Sequence, residues 1–298
     1  NIILAFVMFG VALGIKLSTF KDVFQKPKSV ITGIILQWVA LPAVTFLVAL
    51  ILNPFITPMI ALGMILVASC PGGNISNFLS SLSKGNIELS VSLTAATTAM
   101  APFITPINFY FWSSLYNQFI SRKYDIPMLV IPFSPMLEQI LLLLGLPIVL
   151  GLLFSHFFPN ATKKMIKPLQ VLSVFLFIGM VIASMAQNFH IIVENIHYVF
   201  LIVLLHNGAA LATGYYGGRL ARLPFKDVKT LTIETGIQNS GLGLVLLFNP
   251  HIFPPEIWQG HYGGMLFIAA WWGIWHIVSG LTMVCIFRRK EFFLPRFA

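Results

Sequence analysis

Charge is what this 298-residue chain has least of. Asp, Glu, Lys and Arg together supply 9% of it, against about 25% in ordinary soluble domains. That shortage excludes a disordered protein, a coiled coil and a water-soluble enzyme. Cysteine is nearly absent too. Cys70 and Cys285 lie far apart in apolar runs, so no disulfide framework, zinc site or haem attachment is expected, and both read as small buried hydrophobes. No secretory leader precedes the first apolar stretch, which runs from Asn1 to Gly14 and Lys16. The first residue is not Met, so residues ahead of it are expected to be missing.

What is there is apolar: 57% of residues, with a mean hydropathy of +0.88. A bilayer span takes about 20 mostly apolar residues, which leaves room for nine or ten. The expected fold class is an all-α polytopic membrane protein. A net charge of +9 would point to nucleic acid in a soluble protein. Here it reads as cytoplasmic loop charge that holds the topology, with no nucleic-acid partner.

Breakers and charges divide the chain into nine spans, at about 2–15, 30–52, 58–82, 87–115, 133–158, 165–186, 196–220, 228–248 and 262–287. With the N-terminus outside, all 18 Lys and Arg except Arg122 and Lys123 fall on the cytoplasmic side, as does the C-terminus. The third and eighth spans are interrupted, near 72 and near 236. Irregular backbone at membrane depth is tolerated only against protein or a water-filled cavity, and paired broken helices mark the binding site of many transporters. The halves meet near Asp125–Pro127. Five spans per half would make the repeats inverted. The first half is one helix short: either the protein has nine spans, or the full chain begins earlier and has ten.

Most acidic residues have bland readings. Asp22, Asp125, Asp227, Glu194, Glu256 and Glu291 fall in loops or tails. Glu88 sits at a helix start, where a carboxylate complements the dipole, and Glu138 sits near the outer end of a span. Glu234 differs. It lies mid-span in Thr232-Ile233-Glu234-Thr235-Gly236-Ile237-Gln238-Asn239-Ser240-Gly241, among amide and hydroxyl oxygens and two glycines that permit unwinding. Unwound carbonyls and hard side-chain oxygens suit an alkali cation; a neutral Glu bonded inside the bundle is the alternative. The third span offers Pro71-Gly72-Gly73, then Asn74, Ser76 and Asn77 at a new helix start, where the amide N–H groups favour an anion and the oxygens of Ser76 and Asn77 could face a cation. Ser90 and Thr94 share a helix face, as ligands or as packing hydroxyls. Gln37 is a lone amide deep in the second span, as ligand or packing bond.

The rest reads as structure. Trp271, Trp272 and Trp275 are interface or packing aromatics. His206 and His276 are packed or helix-capping. Gly214–Gly218 marks close helix packing, and Lys163-Lys164 and Arg288-Arg289-Lys290 are topology charges that touch anionic membrane lipid.

Cys70-Pro71-Gly72-Gly73-Asn74-Ile75-Ser76-Asn77, then Lys84-Gly85-Asn86 and Leu89-Ser90, resembles the bile acid:sodium symporter family. So does Glu234-Thr235-Gly236-Ile237-Gln238-Asn239-Ser240-Gly241-Leu242, with Gln37 ahead of Leu41-Pro42, His206-Asn207-Gly208 and Trp275-His276. The resemblance implies two crossing discontinuous helices, a core domain and a panel domain. The expected division is panel 1–56, core 57–122, panel 128–190 and core 191–290. Members with ten helices have one more at the start; mammalian members, with nine, lack it. The resemblance places a first sodium on Ser76, Asn77, Ser90, Thr94 and Glu234. It places a second on Gln37, Glu234 and Gln238, with the carbonyls of Thr235 and Ile237. Asn74 and Asn239 would face the substrate. Bacterial relatives often have Thr at position 74, so a shifted substrate preference is expected. Ile277 stands where many relatives have Asn, so no polar role is expected there.

The expected activity is sodium-coupled uptake of an organic anion, a bile acid or smaller carboxylate, by a monomer in the cell membrane (a bacterial inner membrane). Two Na⁺ would accompany each anion. A proton-coupled symporter using Glu234 is the near alternative. A channel, and a receptor on the same fold, are more distant ones. An intramembrane enzyme fails on inventory: no pair of span Asp residues, no H-E-x-x-H helix, and no glycine pattern ahead of Ser240.

Overall fold

The computed structural model describes residues 9, 10, 13, 27–73, 75–124, 133–187, 189–249, 252, 253 and 263–293. Among them every regular element is a helix. The order is α1 Pro27–Leu52, α2 Pro58–Ser69, α3 Ile75–Leu82, α4 Ile87–Tyr124, α5 133–157, α6 Pro159–Gln187, α7 Phe189–Leu220, α8 Phe225–Gly236, α9 Ser240–Leu247 and α10 Gly263–Phe293. Five described stretches are long and apolar enough to cross a membrane: Pro27–Leu52, Ile87–Lys123, Leu137–Phe157, Tyr198–Leu220 and Gly264–Arg289. The expected first span lies outside the described residues except for 9, 10 and 13. Helices outrun several expected spans. α4 continues to Tyr124, and α7 begins at Phe189 rather than near 196, because a helix need not end where its apolar stretch does.

Proline shapes the long helices. α1 and α5 each contain one π-helical turn, Leu36–Ala40 and Leu141–Gly145, just before Leu41-Pro42 and Leu146-Pro147. Proline has no N–H for the carbonyl four residues back. The ladder slips to a five-residue bond, from the Leu41 N–H to the Leu36 carbonyl and from the Leu146 N–H to the Leu141 carbonyl. At α2, Pro58 follows Thr57, whose side chain accepts the Ile60 N–H at 3.4 Å.

α2 is buried along its whole length from Ala61 to Ser69. A helix apolar on all sides belongs in the centre, and this one packs against α1, α4 and α10. Trp272 of α10 is fully buried, its ring 4.6 Å from that of His206, so it is a packing aromatic. α7 and α8 approach closely at Gly214. A Cβ there would stand 2.4 Å from the Leu231 carbonyl oxygen, which bears out the expected close packing. Gly214→Ala should therefore force the helices apart and cost about 1–3 kcal/mol. Thermal unfolding in detergent checks it; an unchanged midpoint would refute the tight contact.

Candidate cation site at the helix crossover

Two helices stop in mid-protein and their broken ends meet. α2 ends at Ser69, and Cys70 turns extended, with φ −76° and ψ 157°. α8 ends at Gly236, where α7 leaves no room for a side chain: a Cβ would lie 2.3 Å from Leu211 Cδ2. The Gly73 N–H donates to the Ile237 carbonyl at 2.8 Å, and the Asn239 N–H donates to the Pro71 carbonyl at 2.8 Å. Gly72 and Gln238 thus face each other in an antiparallel bridge. Each unpaired backbone group at membrane depth would cost several kcal/mol; here each break satisfies the other. Side chains finish the task. Asn239 Oδ1 accepts the Leu242 N–H at 3.1 Å and caps α9. Asn207 Nδ2 donates to the Gly236 carbonyl at 2.7 Å.

Glu234, in the last turn of α8, has no exposed surface. Three hydroxyls from two other segments converge on it. Ser76 Oγ of α3 donates to Oε1 at 2.5 Å, Ser90 Oγ of α4 donates to the same oxygen, and Thr94 Oγ1 lies 3.2 Å from both oxygens. Asn77 Oδ1 is 3.2 Å from Thr94 Oγ1. Among the described residues no cationic side chain partners this carboxylate. The five oxygen-bearing residues expected at a first cation site are therefore together.

The second set is also assembled beside the same carboxylate. A Cβ at Gly72 would lie 2.8 Å from Glu234 Oε2 and 3.4 Å from Gln37 Oε1, so Gln37 and Glu234 meet over a position with no side chain. Both amide atoms of Gln37 are buried without a hydrogen bond of normal geometry, their polar neighbour being Glu234. Gln238 Nε2 donates to the Thr235 carbonyl at 2.9 Å, leaving Gln238 Oε1 buried and unpartnered, as is Thr235 Oγ1. The Ile237 carbonyl already accepts from Gly73, and a carbonyl keeps a second lone pair. Asn74 lies outside the described residues. Asn239 is half-buried beside the bridge.

The structure corrects three sequence readings. Cys285, expected to be buried, is exposed. Asp227, expected in a loop, lies in the first turn of α8 and is buried. Ser29 Oγ donates to it at 2.6 Å and Asn86 Nδ2 at 2.8 Å. Lys229, expected as an exposed topology charge, is 2% exposed, with Nζ 3.2 Å from the Ser83 carbonyl and 5.3 Å from the Phe225 ring. The available signal was spacing: 227, 230 and 234 share one helix face. Sequence reasoning also missed the backbone role of Asn207. His206, read as packing, bonds Thr45 Oγ1 at 2.8 Å.

A family model described as the Sodium Bile acid symporter family matches residues 1–195. The "Uncharacterized sodium-dependent transporter YocS" of Bacillus subtilis is 30% identical over 293 residues, covering 97% of this chain and 83% of that protein. The "Probable sodium/metabolite cotransporter BASS1, chloroplastic" of Oryza sativa subsp. japonica is 31% identical over 247 residues, 82% of this chain and 56% of that protein. The "Ileal sodium/bile acid cotransporter" of Oryctolagus cuniculus is 25% identical over 244 residues, 81% of this chain and 67% of its own. These relatives are named as transporters or cotransporters, not enzymes. With that match across the first broken helix and a relative aligned along nearly the whole length, the chain belongs to the sodium bile acid symporter family.

Proposed function

We propose that the protein is a secondary active transporter that couples inward movement of Na⁺ to uptake of an organic anion, with two Na⁺ per anion. One observation carries the reading. Glu234 is a wholly buried carboxylate held by neutral hydroxyls, beside buried amide and hydroxyl oxygens that have no partner. Buried charge needs compensation, and a cation with hard oxygen preference supplies it. The first Na⁺ takes Ser76, Asn77, Ser90, Thr94 and Glu234. The second takes Gln37, Glu234 and Gln238, with the Thr235 and Ile237 carbonyls.

Two sodium ions against one carboxylate leave about one positive charge. An organic anion beside the crossover, facing Asn74 and Asn239, offsets it. Each ligand then improves the binding of the other, by linkage. One net charge moving inward gains about 2.3 kcal/mol per 100 mV. Alternating access follows from a panel moving against a core. α1 brings Gln37 to the crossover and packs against α2, α4, α7 and α8, so we place 27–56 with the core halves 57–122 and 191–290. The panel then comprises the residues before 27 and 128–190. The chain sits in the cell membrane with its N-terminus outside and its C-terminus in the cytoplasm.

The test is uptake of labelled anions, from steroidal acids to small carboxylates, into proteoliposomes at fixed pH. An inward Na⁺ gradient should drive uptake of at least one anion, and an equal K⁺ gradient should not. Uptake driven by a pH gradient without sodium would transfer the coupling role to a proton on Glu234.

A further inference from the structure

Gln37 reaches the crossover with, among the described residues, only the Glu234 carboxylate beside its amide. Neither amide atom makes a hydrogen bond of normal geometry, so the backbone that carries the side chain decides whether it reaches Glu234. That backbone is the π-turn Leu36–Ala40, of which Gln37 is the second residue. The turn exists because Pro42 withholds an N–H, and the carbonyl it leaves without an α-helical donor is that of Trp38. A carbonyl freed at this depth needs another donor. Asn108 provides it: Nδ2 of this residue, far along α4, donates to the Trp38 carbonyl at 2.9 Å.

We propose that Asn108 is a positioning residue for the second cation. By capping the Trp38 carbonyl it keeps α1 in the π register, and the π register points Gln37 at Glu234. An α-helical turn in its place would remove one residue from the turn and rotate Gln37 by about 100° relative to the rest of α1. This rests on the reading of Gln37 as a sodium ligand given above.

Sodium dependence of uptake in proteoliposomes tests it. Gln37→Ala should flatten the sodium curve from two-ion to one-ion cooperativity. Asn108→Leu, which keeps size but removes the donor, should do the same and raise the half-saturating sodium about tenfold. Asn108→Gln, which keeps a donor, should restore much of the cooperativity. The double variant Asn108→Leu with Gln37→Ala should be no worse than Gln37→Ala alone, because both changes remove the same ligand. A merely structural Asn108 would instead add its own loss, which would overturn the proposal. Should Asn108→Leu fail to fold, Pro42→Ala serves. It returns an N–H to the Trp38 carbonyl, should restore the α ladder and should flatten the sodium curve equally. Unchanged cooperativity in either variant, beside a flattened Gln37→Ala, overturns the positioning role alone. Unchanged cooperativity in Gln37→Ala overturns both that role and the assignment of Gln37.

Discussion

Glu234→Gln should abolish sodium-driven uptake. The substitution keeps the shape of the side chain and removes the one negative charge shared by both proposed cation positions. Leaving a buried ion without its partner costs about 3–5 kcal/mol, so sodium affinity should fall by at least about a hundredfold. The fold should not suffer. The carboxylate's described partners are neutral hydroxyls of Ser76, Ser90 and Thr94, and Gln retains an oxygen for them. The variant should therefore match or exceed the wild type in thermal stability in potassium buffer, and should lose any sodium-induced rise. Loss of uptake with an unstable protein would show only misfolding. Retained sodium-driven uptake would remove Glu234 from the site.

Gly72→Ala should be nearly as damaging, though it adds a single methyl group. That methyl would stand 2.8 Å from Glu234 Oε2, at the point where Gln37 also arrives. The carboxylate must move away from the bridge or the bridge must open. Overpacking costs about 1–3 kcal/mol of stability. The effect on sodium should be larger than that figure, because a ligand displaced by a few tenths of an ångström would upset both proposed cation positions together. Sodium titration of uptake should show a half-saturating concentration raised by at least about a hundredfold. A wild-type curve would mean that the approach of Glu234 to Gly72 plays no part in binding.

Much of this was legible in the residues. Pro71-Gly72-Gly73 and Gly236 announce breaks in otherwise apolar spans, and Glu234 stands out as a carboxylate in mid-span. The two breaks meet, and Ser76, Ser90 and Thr94 gather around that carboxylate; their service as cation ligands is the proposal. Other features were hidden for physical reasons. Apolar patterning does not distinguish a π-turn from an α-turn, so the slip before Pro42 leaves no trace in composition. Asp227 follows Pro224 in a charged stretch, and a carboxylate at a helix start looks solvated until Ser29 and Asn86, distant in sequence, close over it. Lys229 is similar: its cover comes from the 80–86 turn and Phe225. Asn207 has a role in the site only because its amide meets a carbonyl that lost its partner when α8 stopped.

The reciprocal bonds between the two breaks also bear on how the molecule is made. Residues 71–73 leave the ribosome long before residues 237–239. Until then the first break has backbone groups with no helix to complete and no partner to meet. Loop closure over so long a separation is slow. The crossover is thus a late product of folding, and the first half by itself is an intermediate that the membrane tolerates poorly. A substitution that weakens the bridge should reduce the yield of mature protein during synthesis before it changes the behaviour of molecules that have finished folding.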